Sequence, residues 1–249
     1  MKNKANLTPH PAISVVLPAY NEERLIEKCL THLVQQDFHE PFEIIVVNGP
    51  STDQTRKIAE KYADLVIDQT GIGIGQARYQ GCKQAKGELL AITDADVFVP
   101  KNWLSTIAAF FKEHPKMVAL TGPYRFVDSE PLNRAAKITR PIGNAFHILL
   151  TGGAPLSGTN TAMQREAYFN AGEFDPQITG LEDVELGTRL IKLGQIAYLP
   201  NLVVETTQRR YKKPLQHIFT TLLPAYFKRM VLKTKDKKVI WKKIEEESF

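Results

Sequence analysis

Two aspartates one residue apart, Asp94 and Asp96, directly follow a short strand-like run at 88–92. Placing carboxylates beside a hydrophobic strand is costly unless a cation compensates their charge. A hard divalent ion takes oxygen ligands and commonly bridges protein carboxylates to substrate phosphates. Open α/β sheets hold their ligands at the carboxyl ends of strands. The pair therefore predicts a metal–nucleotide site, although Asp-rich turns also occur simply as helix caps.

Polar loops also follow the strand-like runs 13–17 and 42–47. The first loop, 18–23, reads Pro-Ala-Tyr-Asn-Glu-Glu, and the second, 48–53, reads Asn-Gly-Pro-Ser-Thr-Asp. Two more segments carry charged residues, Arg78 in a helix-like stretch and the adjacent Glu182 and Asp183. Each segment alone is a weak signal, so their order along the chain carries the interpretation.

Taken in that order, the segments resemble the family 2 glycosyltransferases of GT-A fold, and the resemblance covers about residues 12–210. It implies an α/β fold with a Rossmann-like, mostly parallel sheet flanked by helices, in a domain spanning 1–210. Within this domain, 12–99 would bind the nucleotide and 100–210 the acceptor. The implied reaction is inverting transfer of one sugar from a nucleotide-diphospho-sugar, UDP-based, to a glycan or lipid-linked hydroxyl group.

By the same resemblance, the first two loops hold the nucleoside. The implied contacts are Pro18, Tyr20, Asn21, Glu22 and Asn48. Asn48 departs from the family, which places an acidic residue against the base, but its amide can still donate and accept hydrogen bonds. Arg78 matches a helix-borne arginine near the nucleotide, where a guanidinium can pair with phosphate oxygens. Simple turn chemistry and an exposed helix arginine are the alternatives.

The resemblance also assigns the chemistry. Asp96 would ligate Mg²⁺ or Mn²⁺, and Asp94 would contact the ribose or support the metal, which stabilises charge on the departing diphosphate. Asp183 matches the general base that takes the acceptor's hydroxyl proton. Glu182 would orient the acceptor or raise the pKa of its neighbour. The alternative for this second pair is first-turn residues that the helix dipole favours.

The acceptor or diphosphate side is implied to include Thr159, Asn160, Arg209 and Arg210. Some relatives supply a metal-binding histidine in the stretch 205–210, where this chain has none, so a third protein ligand stays unassigned. The processive signature Gln-x-x-Arg-Trp is not matched by the sequence from Gln208 to Tyr211. Transfer of a single sugar is therefore favoured over polymerisation.

The arrangement of the elements follows from hydrophobic periodicity. Strand-like runs, including 65–67 and 117–121, alternate with helix-like segments, as in a largely parallel α/β sheet. One expected helix follows the first loop and has Leu25, Ile26, Cys29, Leu30 and Leu33 on one face. A second begins near 51–53, with Ile58 and Tyr62 buried, and a third contains Trp103, Ile107 and Phe111. Two more span 165–171 and 183–193. Four prolines predict irregular structure over 123–160, with a loop at 152–155.

The composition excludes several classes of protein. Hydrophobic residues make up 43% and charged residues 24%, which argues against long disordered regions. Cys29 and Cys82 stand in helix-like segments and predict buried thiols rather than a disulfide. No apolar run approaches the length of a membrane span, so we expect a cytoplasmic protein.

The C-terminal end carries most of the positive charge. Residues 209–243 hold twelve Lys and Arg and one Asp, a net charge of +11, against +5 for the whole chain. This asymmetry argues against a nucleic-acid-binding domain and predicts contact with an anionic surface from one end. The extension 211–249 is predicted to form a basic amphipathic helix. Its residues 211–243 would make peripheral contact with the inner face of the membrane. Packing on the domain or in a homodimer is an equal alternative.

Two rival functions fit parts of this pattern. A sugar-phosphate nucleotidyltransferase would release pyrophosphate from a nucleoside triphosphate, but no Gly-rich triphosphate loop occurs near residue 20. A non-catalytic, membrane-associated nucleotide-sugar-binding protein would bind ligand and be indifferent to Asp183→Asn.

Overall fold

The fold was analysed in a computed structural model that describes residues 10–178 and 180–210, without the side chain of Arg210. The predicted extension 211–249 lies outside the described residues. Ten strands are present in this part of the chain: β1 (Ile13–Ala19), β2 (Phe42–Asn48), β3 (Leu65–Asp68), β4 (Leu89–Ile92), β5 (Val97–Phe98), β6 (Met117–Thr121), β7 (Tyr124–Phe126), β8 (Thr161–Gln164), β9 (Gln195–Tyr198) and β10 (Val204–Thr206). All five predicted strand-like runs are confirmed as strands.

Seven strands form the main sheet in the order β3-β2-β1-β4-β8-β6-β9. The first four are parallel, β8 runs antiparallel to both of its neighbours, and β6 pairs in parallel with β9. The predicted mostly parallel sheet is thus confirmed. Because β1, β2 and β4 run in the same direction, the polar loops that follow them meet at one edge of the sheet.

A smaller sheet of three strands lies beside this edge, in the order β5-β10-β7. β10 pairs antiparallel with β5 and parallel with β7. This pairing brings Thr206 to the second aspartate, where its hydroxyl donates to the Asp96 carbonyl oxygen over 3.2 Å. The last described residues are therefore fixed next to the strand end that carries the carboxylate pair.

The described helices are α1 (Ile26–Val34), α2 (Thr55–Ala59), α3 (Ile74–Gln84), α4 (Trp103–Glu113), α5 (Glu130–Thr151), α6 (Arg165–Asn170) and α7 (Glu182–Leu190), followed by a short 3₁₀ turn at Gln208–Arg210. The predicted helices are present, with shifted ends. α6 ends one residue before 171, and α7 begins one residue before 183 and ends before 193. α2 begins after 51–53 and ends before Tyr62, and the prediction that Ile58 and Tyr62 are buried is wrong, since both are only partly buried. None of the described helices is both long enough and apolar enough to cross a bilayer.

The largest correction concerns the stretch 123–160, where the prolines predicted irregular structure. Most of it is the 22-residue helix α5. Pro131 lies in the first turn, where a backbone N–H has no partner within the helix, and is well tolerated there. Pro141 lies inside the helix and is accommodated despite the lost hydrogen bond. Gly152 ends the helix at a φ of 86°, which its missing Cβ allows.

The core forms two layers, one on each face of the main sheet. Successive strand residues such as Val15 and Val16 point to opposite layers because side chains alternate along a strand. α1 and α4 pack on one face, and α3, α6 and α7 on the other. Cys29 lies in the first layer and Cys82 in the second, and both are buried free thiols, as predicted.

Candidate functional site

The loops after β1 and β2 are joined by hydrogen bonds from short polar side chains. The Asn21 backbone N–H donates to the Ser51 hydroxyl over 3.1 Å, and the Asn21 side-chain oxygen accepts from the Thr52 N–H over 2.9 Å. Asn21 has a φ of 52°, which Asn adopts more readily than most residues. Pro18 lies opposite Val47 in the strand register. The structure thus brings the two loops of predicted nucleoside contacts together.

Tyr20 and Glu22 differ in exposure within the first loop. Tyr20 is 39% exposed at the sheet edge, where its ring lies close to Gly49. Glu22 is buried, and both of its carboxylate oxygens accept from Arg209 Nη2, at 2.6 and 2.5 Å. Its backbone N–H donates to Thr55. The predicted nucleotide residue Glu22 and the predicted diphosphate residue Arg209 therefore form one ion pair in this structure.

Asn48 occupies the end of β2 and is buried. Its amide Nδ2 donates to Asp68 Oδ1 over 3.1 Å, and its Oδ1 is buried with no hydrogen-bond partner among the described residues. This donation, with smaller contributions from the adjacent Arg56, holds the pKa of Asp68 below its usual value, against the opposing effect of burial. A cavity of about 550 Å³ is lined in part by Asn48, Arg56 and Asp68. Asp68 was not among the predicted site residues, although it directly follows the predicted strand 65–67.

Arg78 connects the strand end to the acidic helix. It projects from α3 and is buried, with Nη2 2.7 Å from Asp94 Oδ1 and Nη1 in contact with Glu182 Oε1. Burial opposes its charge, but Asp94 and Glu182 outweigh that effect and raise the pKa of the guanidinium. In this structure both terminal nitrogens bind carboxylates. The predicted contact of Arg78 with phosphate stays a prediction and would require one of these contacts to open.

The carboxylate pair lies at the turn between β4 and β5. Asp94 Oδ2 accepts from the Thr159 hydroxyl over 3.3 Å, so a predicted acceptor-side residue lies against a predicted nucleotide residue. Asp96 is buried, and its carbonyl oxygen is bound by Thr206. Burial and then the nearby charge of Asp96 raise the pKa of the Cys29 thiol far above its ordinary value. The carboxylates at the strand end therefore place negative charge beside the core layer that contains Cys29.

Glu182 and Asp183 open α7, and Leu181 before them has a φ of 58°. Glu182 is buried; burial raises the pKa of its carboxyl group, Arg78 opposes the rise and Asp183 adds to it. Asp183 is only partly buried. Its Oδ2 accepts from the Gly158 N–H over 2.6 Å, and its Oδ1 accepts from the Val184 N–H over 2.8 Å. The pair thus consists of one buried, ion-paired carboxylate and one accessible carboxylate that the backbone orients.

Gly158 was not singled out in the sequence, although it belongs to the segment 157–160 before β8. A Cβ placed on Gly158 would occupy the same space as the Arg78 guanidinium. Its N–H binds Asp183 while its Cα faces Arg78, so the residue contacts both charged centres. The signal was a glycine between polar residues in a segment of predicted acceptor contacts, and the close approach itself is visible only in three dimensions.

Asn160 and Arg210 differ from the other predicted site residues. The Asn160 side chain is fully buried and bonded to the protein: Oδ1 accepts from Trp103 Nε1 over 2.9 Å, and Nδ2 donates to the Leu202 and Pro123 carbonyl oxygens over 2.6 and 3.3 Å. Its contribution to an acceptor would be indirect, through the position of Thr159. The side chain of Arg210 lies outside the described part of the chain.

The donor atoms of the site suit a hard divalent cation held largely by its substrate. Over residues 10–178 and 180–210, no group of three or more His, Cys, Asp or Glu side chains forms a complete metal site. Asp94 and Asp96 supply oxygen donors on one turn. Mg²⁺ and similar ions are typically bound by one or two carboxylates, with phosphates and water completing the coordination. The residues present therefore fit such an ion.

Most of this chain is similar to known sequences. The profile of glycosyl transferase family 2 matches residues 14–169. The poly(ribitol-phosphate) beta-N-acetylglucosaminyltransferase TarS of Staphylococcus aureus is 39% identical over 114 residues, which is 43% of this chain and 20% of TarS. The probable glycosyltransferase YdaM of Bacillus subtilis is 27% identical over 91% of this chain and 60% of YdaM. The chain thus spans between a fifth and three fifths of these relatives.

Solved structures show the same fold. A crystal structure of Staphylococcus aureus TarS residues 1–349 matches with a TM-score of 0.62 and 25% identity, covering 80% of this chain and 61% of that one. The mannosyltransferase PcManGT from Pyrobaculum calidifontis, in complex with GDP-Man and Mn²⁺, matches at 0.67 and 23% identity, covering 85% and 61%. At 23% identity, the match to PcManGT shows similarity of fold alone. With a GT-A sheet, the acidic strand end in place and a family profile that matches most of its length, the chain belongs to glycosyl transferase family 2.

Proposed function

We propose that this protein transfers a single sugar from a nucleotide-diphospho-sugar, UDP-based, to the hydroxyl group of a glycan or lipid-linked acceptor, with inversion at the anomeric carbon. The family membership supports transferase chemistry. The uridine donor is supported by TarS, whose residues 1–349 match with a TM-score of 0.61 and 25% identity in a crystal structure with UDP-GlcNAc.

One observation carries the proposal. The buried Arg78 contacts Asp94 at the end of β4 and Glu182 at the head of α7, although Arg78 and Glu182 are 104 residues apart in sequence. The strand end expected to face the donor and the helix expected to face the acceptor are thereby held together by one side chain. A transfer reaction needs both substrates at one place, because correct positioning itself supplies a large part of the rate.

Asp183 is proposed as the general base. Two backbone N–H groups, from Gly158 and Val184, bind its two oxygens and fix the orientation of the carboxylate. It is more exposed than Glu182, so an acceptor hydroxyl can approach it. Removal of that proton increases the nucleophilicity of the acceptor oxygen for direct attack on the anomeric carbon. Glu182 is proposed as a positioning residue that acts through Arg78.

The donor side is proposed to use the loops after β1 and β2 for the nucleoside and the carboxylates of the β4–β5 turn for the metal. Asp96, supported by Asp94, would hold Mg²⁺ or Mn²⁺. When bound, the ion stabilises the negative charge that develops on the leaving diphosphate. Arg209 supplies a cation on the same side of the site, where it now contacts Glu22.

We further propose that the cationic residues within 211–243 contact an anionic membrane surface from the cytoplasmic side. Support comes from the net charge of +11 over residues 209–243, because each Lys or Arg near an anionic surface adds to the attraction. Such contact would bring the transferase to a lipid-linked acceptor. Binding to vesicles with and without anionic lipid, at low and high salt, tests this part separately.

The main test measures thermal stabilisation of the protein by UDP, GDP, CDP and ADP and their sugars, with and without Mn²⁺. UDP should shift the midpoint most, and Asp96→Ala should abolish the part that requires Mn²⁺. Asp183→Asn should keep the shift and lose sugar transfer, because the base acts after donor binding. Glu185→Gln on the same helix, whose partner is Arg189, is the matched control and should keep both. Transfer that survives Asp183→Asn would refute the assignment of the base.

A further inference from the structure

Helix α5 exposes an apolar stripe that the described part of the protein does not cover. Ile138, Ile142, Phe146 and Leu149 are 69%, 66%, 55% and 83% exposed. Their spacing of four, four and three residues places them on one side of the helix. Scattered exposed apolar residues are ordinary, but a continuous stripe on one helix face indicates a surface that something else contacts. We call these four residues the α5 stripe.

The opposite side of α5 is the side that holds the helix on the protein. Asn133 forms two hydrogen bonds with the Phe126 backbone, each 2.8 Å, and the Arg140 guanidinium lies 4.6 Å from the centre of the Tyr124 ring. His147 is buried. The helix therefore has a fixed orientation, and this orientation turns the α5 stripe away from the core.

The chain leaves the described region beside the beginning of α5. The Val127 N–H donates to the Thr206 carbonyl oxygen over 2.9 Å. The Gln208 N–H donates to Asp128 Oδ1, also over 2.9 Å. Asp128 immediately precedes the start of the helix at Ser129 and Glu130. The residues that follow Arg210 therefore start at the N-terminal end of α5.

The sequence that follows has an apolar pattern that matches the α5 stripe. Residues 214–227 contain no Asp, Glu, Lys or Arg. Leu215, Phe219, Leu223 and Tyr226 repeat the spacing of four, four and three residues found on α5. Residues 211–213, if extended, can carry the chain about 10 Å along α5 from its N-terminal end. A parallel helix over 214–230 that begins beside Lys137 would then place these residues beside those of the stripe in the same order. Two helices with matching apolar faces bury them by packing together.

We propose that the α5 stripe is the docking surface for residues 214–230 of the same chain, packed as a parallel helix with Phe219 beside Ile142. In such a helix Pro224 lies on the side away from α5, so the kink that it causes bends the second half towards α5. The cationic residues from 228 to 243 then continue past the end of the stripe and stay free for other contacts. This docking does not depend on the transferase activity.

Disulfide trapping in the full chain tests the proposal. Ile142→Cys combined with Phe219→Cys should form an intramolecular disulfide under mild oxidation, seen as faster migration of the monomer on non-reducing gels. Ile142→Cys combined with Thr221→Cys is the matched control, because residue 221 lies on the opposite side of such a helix, and it should stay reduced. The native thiols of Cys29 and Cys82 are buried and do not interfere.

Other results would overturn the docking. A disulfide-linked dimer from the 142–219 pair would assign the α5 stripe to a second copy of the chain. Equal trapping of both pairs would show that the segment is not held in one orientation. If the thiol introduced by Ile142→Cys alone is protected from a maleimide only when anionic vesicles are added, the stripe belongs to the membrane. In a second measurement, Phe219→Asp in the full chain should increase hydrogen exchange across 138–149, and unchanged exchange would contradict the proposal.

Discussion

Two arginine-centred clusters lie in or near the candidate site, and they differ in burial. The Arg78 side chain is 3% exposed, and its partners Asp94 and Glu182 are 15% and 4% exposed. Charged side chains are rarely buried to this extent. The Arg56 side chain is 42% exposed, and its partners Asp68 and Glu60 are 67% and 50% exposed. Similar ion pairs therefore form in two very different environments.

The difference determines what each cluster can do. A buried ion pair leaves an uncompensated charge when one partner is removed, so its members depend on each other. An exposed pair is screened by water and salt, and its partners can separate at little cost. We conclude that the Arg78 cluster couples assembly of the site to folding. The Arg56 cluster can instead rearrange around a ligand in the adjacent cavity.

The largest expected effect follows from removing Arg78. Arg78→Ala should lower the free energy of unfolding by about 3–5 kcal/mol, because Asp94 and Glu182 would be left without their shared cation. Arg78→Lys should recover only part of this loss, since an ammonium group cannot match both contacts of the planar guanidinium. Urea unfolding followed by circular dichroism measures both variants. A loss no larger than that of Arg56→Ala would remove the distinction between the clusters.

A smaller effect is expected where Gly158 contacts the buried cluster. Gly158→Ala should destabilise the protein by about 1–3 kcal/mol, because the added methyl group competes with the Arg78 guanidinium for the same space. Gly143→Ala is the matched control, since a Cβ there meets no atom within 4 Å. That control should stabilise the helix by about 0.5–1 kcal/mol. Equal and favourable shifts for both variants in thermal unfolding would contradict the close approach.

The exposed cluster should respond much more weakly. Arg56→Ala should change the free energy of unfolding by about 0–1 kcal/mol, as for other surface ion pairs. The same variant should raise the pKa of Asp68, and Asn48→Ala should raise it further, because the amide hydrogen bond contributes most to the lowering. Carboxyl ¹³C shifts followed through an acid titration measure both changes. An unchanged Asp68 titration in Asn48→Ala would mean that this hydrogen bond does not persist in solution.

The smallest effect concerns the access of water and reagents to the two core layers. Neither Cys29 nor Cys82 should react with a disulfide reagent at pH 8 in the folded protein, because burial raises the pKa of both thiols, that of Cys82 to about 12. Both should react after unfolding in urea. Reaction of Cys29 in the native state, with Cys82 silent, would show that the layer beside Asp94 and Asp96 opens to water.

The local features of the site were predictable, because they depend on short-range patterns. Apolar runs of strand length ended in polar residues at Asn48 and Asp94, and parallel pairing carries such ends to one edge of the sheet. The contact between Arg78 and Glu182 was not predictable, since each residue alone also fits an exposed helix position. Asp68 and Gly158 were missed because their importance comes from neighbours that are distant in sequence.

Local sequence was enough to predict the alternating strands and helices of an α/β sheet, the acidic strand end and the charge asymmetry of the chain, because run length, periodicity and composition are local properties. It was not enough for α5, since Pro131 and Pro141 predict interruption unless one is in a first turn and the other is accommodated by its surroundings. Which charges meet, and which are buried, was set by the tertiary structure. Burial and pairing depend on residues as far apart as Arg78 and Glu182, whose proximity no local pattern encodes.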